Sequence, residues 1–357
     1  MPELMLADIV PLIMSLFSFS PYENDRAEIL FAGDAMQHQA QIDAARRPDG
    51  TYDYSECFQG IKEYVEAADL AVVNFEASLG GRPYTGYPCF SAPDEYPAAL
   101  TDAGFDVFLL ANNHILDRRD RGLHRTLDRL RQDSIPHLGI YHDTADRDSL
   151  CPLIMDVNGF KIGLLNYTYG TNGISVTGNA VVDYIDHDKI RHDIIAARNG
   201  GAEIVSVCVH WGDEYRLLPN KAQRDLADWL TELEVDMIIG NHPHVVQPME
   251  MRTSRSGRPV LLTYSLGNLI SNMKTTDTRG GTMVTVSLRR NNSGVAYVSS
   301  ARYLTTFTEP PSDGHNFRVV PAELSTNRHA EAFLINANRT PLSRNVNVKP
   351  DTLFIFK

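Results

Sequence analysis

The sequence predicts an α/β fold of two stacked mixed sheets flanked by helices. From Glu28 onward, short apolar runs alternate with amphipathic stretches, which is typical of sheets covered by helices. The second half adds Asn158-Gly159 between two apolar runs, a strong hairpin signal that indicates an antiparallel element. The 357 residues suffice for one large domain or two smaller ones. We expect one domain; a split near residue 180 is the alternative.

The first half supplies alternating strands and helices. The predicted strands are Ile29–Ala32, Leu70–Val73 and Val107–Leu110. The predicted helices are one that ends over Tyr64–Ala68, Pro97–Ala103 and Arg118–Gln132. In the last helix Leu123, Leu127 and Leu130 fall at i, i+4 and i+7, which predicts an apolar stripe against a sheet.

The second half begins with the hairpin and ends in strands. Its predicted helices are Ile190–Arg198 and Ala222–Leu233. Its predicted strands are Leu153–Val157, Lys161–Asn166, Ile204–Val209, Met237–Ile239, Val260–Tyr264, Met283–Leu288 and Val295–Ser299, the last two joined across Asn291 to Gly294.

Composition excludes several classes of protein. With 43% hydrophobic and 22% charged residues, the chain is neither disordered nor collagenous nor a disulfide miniprotein. Its formal charge of −12 disfavours nucleic-acid binding, and an anionic substrate would need a local positive centre such as a metal. Cys57, Cys89, Cys151 and Cys208 form no C-x-x-C pair, so we expect free, mostly buried thiols; one disulfide is the alternative.

The N-terminal segment, residues 1–27, contains the apolar run from Leu4 to Phe19. Asp8 and Pro11 interrupt this run, which is too short to span a bilayer as a helix. It also lacks the basic residues that open a secretory signal. We therefore expect an apolar helix that packs on the domain or belongs to a longer precursor, with a degenerate signal or anchor as the alternative.

Polar side chains follow five predicted strands, at the edge where open α/β folds collect their reactive groups. These side chains are Asp34 and His38, Asn74 and Glu76, Asn112, Asn113, His114 and Asp117, His210, and Asn241, His242 and His244. A single such residue is more often a loop or cap residue: Asp34 would cap a helix, and Asn112 or Asn113 would hold a turn. Five such strand ends favour a shared polar or metal site. Carboxylate, imidazole and amide donors suit a borderline divalent ion such as Mn, Fe or Zn.

The number of candidate ligands favours two ions. His242 and His244 stand two apart, so both would face one point in an extended segment. The set exceeds what one tetrahedral site needs, whereas two ions bridged by a carboxylate would use all of it. The candidate ligands are Asp34, Glu76, Asn113, His210, His242 and His244.

Six motifs together resemble the capsule synthesis protein family, which is CapA-like and of the poly-γ-glutamate synthesis type. They cover about residues 28 to 270 and run in the family's order. The motifs are Gly33-Asp34-x-Met36-x-His38, Asp69-Leu70-Ala71-x-x-Asn74-x-Glu76, Ala111-Asn112-Asn113-His114-x-x-Asp117, His210-Trp211-Gly212-x-Glu214-Tyr215, His242-Pro243-His244 and Tyr264-Ser265-Leu266-Gly267-Asn268.

That family is similar in fold to the calcineurin-like metallophosphoesterases, so the resemblance implies a four-layer α/β/β/α sandwich. The capsule synthesis domain would occupy residues 28–305, and residues 306–357 would form an extension that packs on it. The resemblance implies that Asp34 binds the first metal, Glu76 bridges both and Asn113 binds the second. His210, His242 and His244 would complete the two ions, and His114 would be the general acid, oriented by Asp117. Asp117 as the N-cap of the helix from Arg118 is the alternative reading.

Two positions depart from the phosphoesterase pattern but agree with the capsule synthesis pattern. Where the phosphoesterases have Asp-x-His, this chain has Asp34-Ala35-Met36, and a thioether is a poor ligand for a hard ion. His38, one helical turn on from Asp34, would replace the missing ligand or face substrate. The bridging Asp is displaced to a Glu, in Asn74-x-Glu76.

Further residues are candidates for substrate binding. Glu214 and Tyr215 would bind substrate or pack at the sheet edge, and Asn112 stands beside the predicted ligand Asn113. Asn268 would orient a ligand or close a turn after Gly267. The basic cluster Arg118, Arg119 and Arg121 would dock an anion, or would form a solvated helix face. The substrate-binding candidates are His38, Asn112, Arg118, Glu214, Tyr215 and Asn268.

Two functions follow from this interpretation. The first is a metal-dependent phosphoesterase-like hydrolase in capsule or poly-γ-glutamate production, acting on a phosphoester or an anionic polymer. The second is a non-catalytic module that binds polymer or holds a structural metal while membrane-bound synthesis proteins act as partners. The resemblance implies a cell-envelope location, while a cytoplasmic one stays open because the N-terminal segment lacks a normal signal.

Overall fold

The computed structural model describes residues 26–312, 314–339 and 348–350. Its strands are β1 Arg26–Ala35, β2 Leu70–Asn74, β3 Val107–Leu109, β4 His137–Leu138, β5 Ile140–Tyr141, β6 Leu153–Val157, β7 Phe160–Thr168, β8 Val181–Val182, β9 Ile204–His210, β10 Met237–Asn241, β11 Met249–Thr253, β12 Pro259–Thr263, β13 Asn268–Ile270, β14 Gly280–Arg290, β15 Ala296–Glu309, β16 Arg318–Pro321 and β17 Val348–Pro350. Its α-helices are α1 Gln39–Ala45, α2 Lys62–Glu66, α3 Tyr96–Asp102, α4 Arg119–Gln132, α5 Thr144–Leu150, α6 His187–Asn199, α7 Lys221–Glu232 and α8 Arg328–Arg339.

Two mixed sheets contain most of the strands in the described part of the chain. The first has nine strands in the order β16-β15-β14-β1-β2-β3-β4, with β13 beside β1 and β17 beside β15. Strands β1 to β4 are parallel, while β14 pairs antiparallel with β1. The second has six strands in the order β11-β12-β10-β9-β7-β6, parallel at its centre and antiparallel at both edges. Strands β5 and β8 form a separate pair.

The sheets pack face to face, and helices cover their outer faces. Alternate residues of β1 point in opposite directions, so Phe31 contacts the second sheet while Leu30 contacts helices on the other side. Across the interior, Leu164 and Ile239 of the second sheet join the same core as Phe31. Helices α6 and α7 cover the outer face of the second sheet. This arrangement confirms the predicted four-layer α/β/β/α fold class.

Local patterns behave as the sequence predicts. Leu123, Leu127 and Leu130 of α4 are buried in the core between this helix and the first sheet. In the hairpin, β6 pairs antiparallel with β7, and Asn158 and Gly159 between them have φ of 52° and 81°. Positive φ at both central residues is what the favoured type I′ turn requires.

Other expectations have mixed outcomes. The described cysteines are free, but only Cys57 and Cys208 are buried, because Cys89 lies in an exposed loop and Cys151 is half-buried at a helix end. The expectation for residues 1–27 lies outside the described residues, apart from Arg26 and Ala27 of β1. Strand β15 runs through the predicted boundary at residue 305. Among the described helices, none has the length and apolar character needed to cross a membrane.

A buried ion-pair network joins α5 to α6 and to the segment after β8. The Arg147 guanidinium donates to Asp183 (Nε to Oδ1, 2.6 Å) and also forms an ion pair with Asp193 on α6. Tyr167 donates its hydroxyl to Asp193 (2.8 Å), and Lys189 lies 3.0 Å from Asp183. The side chains of both aspartates are 1–2% exposed. Since Arg147 contacts both, its removal would leave buried negative charge poorly compensated.

We predict that Arg147→Met lowers the free energy of unfolding by about 3 to 5 kcal/mol, because it leaves the buried carboxylates of Asp183 and Asp193 without their arginine partner. The matched control is Arg129→Met, which removes a more exposed i,i+4 pair with Asp133 and should cost about 0.5 kcal/mol or less. Guanidinium unfolding followed by circular dichroism measures both. Equal stability of the two variants would show that the network contributes no more than a surface pair.

Candidate metal centre

Strands from both sheets bring the predicted donors together at one edge of the sandwich. Asp34 lies near the end of β1, and Glu76 follows β2, both in the first sheet. In the second sheet His210 ends β9, and His242 and His244 follow β10. These five side chains are at most 2% exposed. The carboxyl ends of four strands therefore enclose one buried polar cluster.

Glu76 lies at the centre of this cluster. Its Oε1 is 3.7 Å from His244 Nε2, 3.8 Å from His210 Nε2 and 4.0 Å from His114 Nε2. These separations exceed hydrogen-bond length, so the imidazoles surround the carboxylate without bonding to it. Both carboxylate oxygens of Glu76 are buried and accept no hydrogen bond from a described residue.

The donors form two groups that share Glu76. One group is Asp34, Glu76 and His210, and the other is Glu76, His242 and His244. Within each group the ligand atoms lie within 4.8 Å of one another. A carboxylate common to two donor groups is the arrangement in which one side chain can contact two ions.

Amide side chains complete the cluster. The Asn113 Oδ1 lies 2.8 Å from His210 Nε2, so this predicted ligand reaches the same point as the first group. Asn74, the last residue of β2, donates from Nδ2 to Asp34 Oδ1 (2.8 Å). Asn268 holds the other side, with its Oδ1 3.0 Å from His244 Nδ1, which is also 3.1 Å from Asp34 Oδ2. The six predicted ligands therefore converge, and Asn74 and Asn268 orient two of them.

The backbone of the His-Pro-His segment differs from the prediction. His242 and His244 have φ of 101° and 58°, so the segment bends and is not extended. Both imidazoles still face Glu76, but through left-handed backbone that costs of order 1–3 kcal/mol per residue. The correction has a physical reason: β10 ends at Asn241, and the chain must turn sharply there to bring both rings back over the strand ends.

Close backbone contact positions Asp34. A Cβ on Gly33 would lie 2.0 Å from the carbonyl oxygen of Gly267, so only glycine fits there. The Asp34 N–H donates to that same carbonyl (2.9 Å), and the ladder between β1 and β2 shifts register at this point. Asp34 therefore sits on an irregular strand end that directs its carboxylate into the cluster. It caps no helix, so the N-cap alternative for Asp34 is wrong.

Burial controls the charge of the cluster. Desolvation and the neighbouring Asp34 carboxylate raise the pKa of Glu76 well above its ordinary value. Burial and the nearby imidazoles lower the pKa of His210 well below its ordinary value, and burial lowers the pKa of His242 to about 3. Neutral imidazole is the form that binds metal ions.

The donor set fits a divalent metal pair. The buried atoms without partners include both Glu76 oxygens, His242 Nδ1 and the Oδ1 atoms of Asn74 and Asn241. Buried polar atoms without partners are costly unless a ligand satisfies them. Oxygen and nitrogen donors without thiolate suit Mn, Fe or Zn, as the sequence predicts.

His114 lies beside this cluster with its ring fixed. Its Nδ1 is 2.8 Å from Asp117 Oδ2, which also accepts the Phe90 N–H (2.7 Å). Nε2 therefore points towards Glu76 and the cavity. Helix α4 begins at Arg119 after Arg118, which makes no side-chain cap, so the N-cap alternative for Asp117 is wrong. The carboxylate is committed to the imidazole and to the Phe90 backbone.

A cavity of about 210 Å³ opens at the cluster. It is lined by Met36, His38, Tyr87, His114, Glu214, Tyr215, His244 and Met273. Three predicted substrate-binding residues, His38, Glu214 and Tyr215, thus line it, and the last two are exposed. His38 precedes α1, outside any helix that contains Asp34, and neither donor group includes it. Its Nδ1 accepts the Asn272 N–H (3.3 Å), and burial lowers its pKa to about 4.

Two other candidates are committed elsewhere. Asn112 donates to the Phe75 carbonyl (2.9 Å), and its Oδ1 accepts the His114 N–H (3.0 Å), so it holds the turn before His114. This supports the turn alternative, and its contact with substrate stays a prediction. The Arg118 guanidinium donates to the Pro83 carbonyl (3.1 Å) and so supports the loop before Phe90.

Four residues around the centre received no role from the sequence. Asn74 and Asn241 were recognised there as polar residues at strand ends, and they end β2 and β10, but neither was assigned as a ligand or substrate-binding residue. Tyr169 packs its ring 4.6 Å from that of His242, and Met273 lines the cavity. Neither has a sequence signal, because each reaches the site through a loop that only the fold places there.

Comparison with protein families identifies the family to which the chain is similar. The model for "Bacterial capsule synthesis protein PGA_cap" matches residues 28–273. The "Capsule biosynthesis protein CapA" of Bacillus anthracis is 26% identical over 284 residues, which cover 76% of this chain and 66% of that protein. The "PGA biosynthesis protein CapA" of Bacillus subtilis is 28% identical over 285 residues, 76% of this chain and 70% of that protein. The chain thus spans about two thirds of the length of these relatives.

Solved structures with a similar chain path are more distant. The NAD nucleotidase NadN of Haemophilus influenzae aligns with a TM-score of 0.48 at 14% identity, over 91% of this chain and 64% of that one. The calcineurin-like phosphoesterase YfkN of Bacillus subtilis aligns with a TM-score of 0.45 at 14% identity, over 89% of this chain and 98% of that one.

We predict opposite effects of Glu76→Gln on metal binding and on stability. Removal of the buried charge beside Asp34 should raise the free energy of unfolding of the metal-free protein by about 1 to 3 kcal/mol. The same change should abolish binding of two ions, because an amide is a poor bridge between cations. Thermal unfolding after chelation and titration calorimetry with Mn²⁺ measure the two effects.

The control for this prediction is Glu63→Gln, which neutralises an exposed glutamate on α2. It should leave both measurements at the wild-type value. A Glu76→Gln protein that binds Mn²⁺ like the wild type, or that is less stable than wild type without metal, would contradict the central position of Glu76.

Proposed function

The chain belongs to the bacterial capsule synthesis protein family, and from this membership and the donor cluster we propose that it is a metal-dependent hydrolase in capsular exopolymer production. Its substrate is a phosphoester or an acidic polymer of the poly-γ-glutamate type. The relatives' names, which refer to capsule and PGA biosynthesis, support that pathway. The cell envelope and membrane-bound synthesis proteins are the proposed location and partners.

One observation carries the proposal: a fully buried Glu76 carboxylate without hydrogen-bond partners lies between two groups of donors. A purely structural glutamate would be paired or exposed. Asn113, which the resemblance assigns to the second ion, would instead hold the first ion together with Asp34 and His210, because its Oδ1 lies 2.8 Å from His210 Nε2. His242 and His244 would hold the other ion, with Glu76 between the two groups. When bound, such ions polarise a phosphoryl or acyl oxygen and lower the pKa of water.

The protein's own groups supply the remaining steps. Asp117 keeps a proton on His114 Nδ1, which leaves Nε2 to exchange a proton with the leaving group. Phe90 packs its ring edge-to-face on His114 at 4.5 Å and shields it from water. The exposed Tyr215 and Glu214 at the cavity rim position the substrate. Cleavage thus combines a fixed acid with a buried electrophilic centre.

Met36 supports a second candidate function. It stands where the phosphoesterase pattern has a histidine, and its side chain lines the cavity beside the donors. Neither donor group includes His38, so in this second function His38 faces substrate and the missing ligand is not replaced. A centre short of one ligand would bind a single structural ion, and the protein would then bind polymer for partner synthases without cleaving it.

Metal analysis with a substrate panel separates the two functions. The full chain is purified with Mn²⁺, its metal content is measured by mass spectrometry, and it is assayed with p-nitrophenyl phosphate, bis-p-nitrophenyl phosphate and poly-γ-glutamate. Two equivalents of metal with turnover support the hydrolase. One equivalent or none, with no turnover of any substrate, contradicts it and supports the binding module.

We expect His114→Gln to lower kcat by roughly 10²- to 10⁴-fold with metal content unchanged, because it removes a proton donor outside both donor groups. The loss should be smallest for p-nitrophenyl phosphate, whose leaving group needs little protonation. The control His192→Gln changes an exposed histidine on α6, whose side chain is 80% exposed. Loss of metal together with activity in His114→Gln would instead make His114 a ligand.

A further inference from the structure

A second cavity, of about 440 Å³, lies next to the metal centre. It is lined by Ser271, Asn272, Met273, Lys274, Arg279, Thr308, Pro310, Phe317, Asn327, Arg328 and His329. The lining comes from the segment after β13, the end of β15, the start of β16 and the start of α8. None of the donor groups at the metal centre contributes to it.

This cavity is basic in an acidic protein. Lys274, Arg279 and Arg328 line it, and no carboxylate of the described residues forms an ion pair with any of them. Arg279 donates from Nε to the Lys274 carbonyl (3.0 Å), and Arg328 donates from Nε to His329 Nε2 (3.3 Å). Uncompensated cations around a concave surface, in a chain of net charge −12, form a local anion site.

The helix behind the cavity adds to this potential. Helix α8 begins at Arg328, so its first turn lies in the cavity wall. The amino end of a helix carries partial positive charge. In α8 the Asn327 side chain already accepts the His329 N–H (3.0 Å), and Glu331 lies in the first turn, so the cations supply most of the potential. The pKa of His329 is lowered by desolvation and by the charges of Arg279 and Arg328, which places both guanidinium groups in its surroundings.

One short segment separates this cavity from the metal centre. Met273 lines both cavities. Asn268 connects them through its side chain, since its Nδ2 donates to Met273 Sδ (3.5 Å) while its Oδ1 contacts the metal-centre residue His244 (3.0 Å). A ligand longer than one monomer can therefore lie against Met273 with one part at the metal centre and another among the cations.

We propose that this basic cavity, formed by Lys274, Arg279 and Arg328 beside Met273, is a binding subsite for the carboxylates of an acidic polymer whose reacting bond lies at the metal centre. The proposal rests on the proposed function and names its substrate class. The net charge of −12 repels nucleic acids and polycarboxylates alike, so the substrate class of the proposed function selects the polycarboxylate. A small phosphoester fills only the cavity of about 210 Å³ at the metal centre.

The subsite replaces the basic cluster that the sequence suggests. Arg118 supports the loop at Pro83, and Arg119 and Arg121 line neither cavity. Lys274, Arg279 and Arg328 are spread over more than fifty residues of sequence, so no local cluster of basic residues predicts this cavity. They come together only because α8 packs against the 3-10 turn Thr276–Thr278, where Asn336 donates to Asp277 (2.8 Å).

Charge reversal tests the subsite. The variant Lys274→Glu/Arg328→Glu changes two exposed residues of the cavity. The matched control Arg255→Glu/Arg289→Glu makes the same change in net charge at two exposed residues that line neither cavity. Binding of a fluorescein-labelled oligo-γ-glutamate of about ten residues is measured by anisotropy on metal-free full-length protein, so the readout needs no turnover. A labelled oligothymidylate of equal charge is the comparison ligand.

The subsite predicts roughly tenfold weaker oligo-γ-glutamate binding for the cavity variant than for the control, and a shallower dependence on salt. The KM for p-nitrophenyl phosphate should equal that of the control. Equal oligo-γ-glutamate binding by both variants overturns the subsite, as does loss of oligothymidylate binding alone. If no hydrolysis is found for any substrate but the binding difference holds, the proposed catalysis fails while the subsite stands.

Discussion

The constraint on which the rest of the structure depends is the burial of the Glu76 carboxylate without a hydrogen-bond partner. A charge in this position is unfavourable by itself, and Asp34 nearby makes it more so. Donors from four strands surround it at distances too long for hydrogen bonds but suited to share ions. Burial keeps the imidazoles neutral, which is the form in which they can bind the cations that would compensate these carboxylates.

Positioning such a site requires rigid surroundings, and the two sheets provide them. Asp34 and Glu76 follow strands of one sheet, and the three histidines follow strands of the other, so packing of the sheets sets the distance between the donors. A layer of polar contacts then fixes each ring or carboxylate: Asn74 on Asp34, Asn268 on His244, and Asp117 on His114. His244 has left-handed backbone, and the Asn268 contact holds its ring in place.

Much of the fold could be predicted, because the signals are periodic and local. The Leu123 stripe and the Asn158-Gly159 turn need no knowledge of distant residues, and both are found as predicted. The convergence of the six predicted ligands could also be predicted, since the strand ends of an α/β fold meet at one edge of the sheet. The bend at His242 was not, because the preference of a short segment for extended backbone gives way to the need to reach Glu76.

The sequence does not predict which residues reach a site through loops or through the packing of distant elements. The cations Lys274 and Arg328 are adjacent to one cavity only through the packing of α8, and Tyr169 reaches His242 through the loop after β7. Arg118, by contrast, donates from Nη1 to the Pro83 carbonyl, and its contact with an anion stays a prediction. The sequence pattern indicates which residues have side chains able to bind a metal or an anion. The tertiary structure shows which of these side chains reach the same cavity.

The most direct measurement of the central claim is anomalous X-ray diffraction from crystals of the full chain grown with Mn²⁺. The account predicts two anomalous peaks about 3.5 to 4 Å apart, one on each side of the Glu76 carboxylate. A single peak, or peaks that do not contact Glu76, would contradict it.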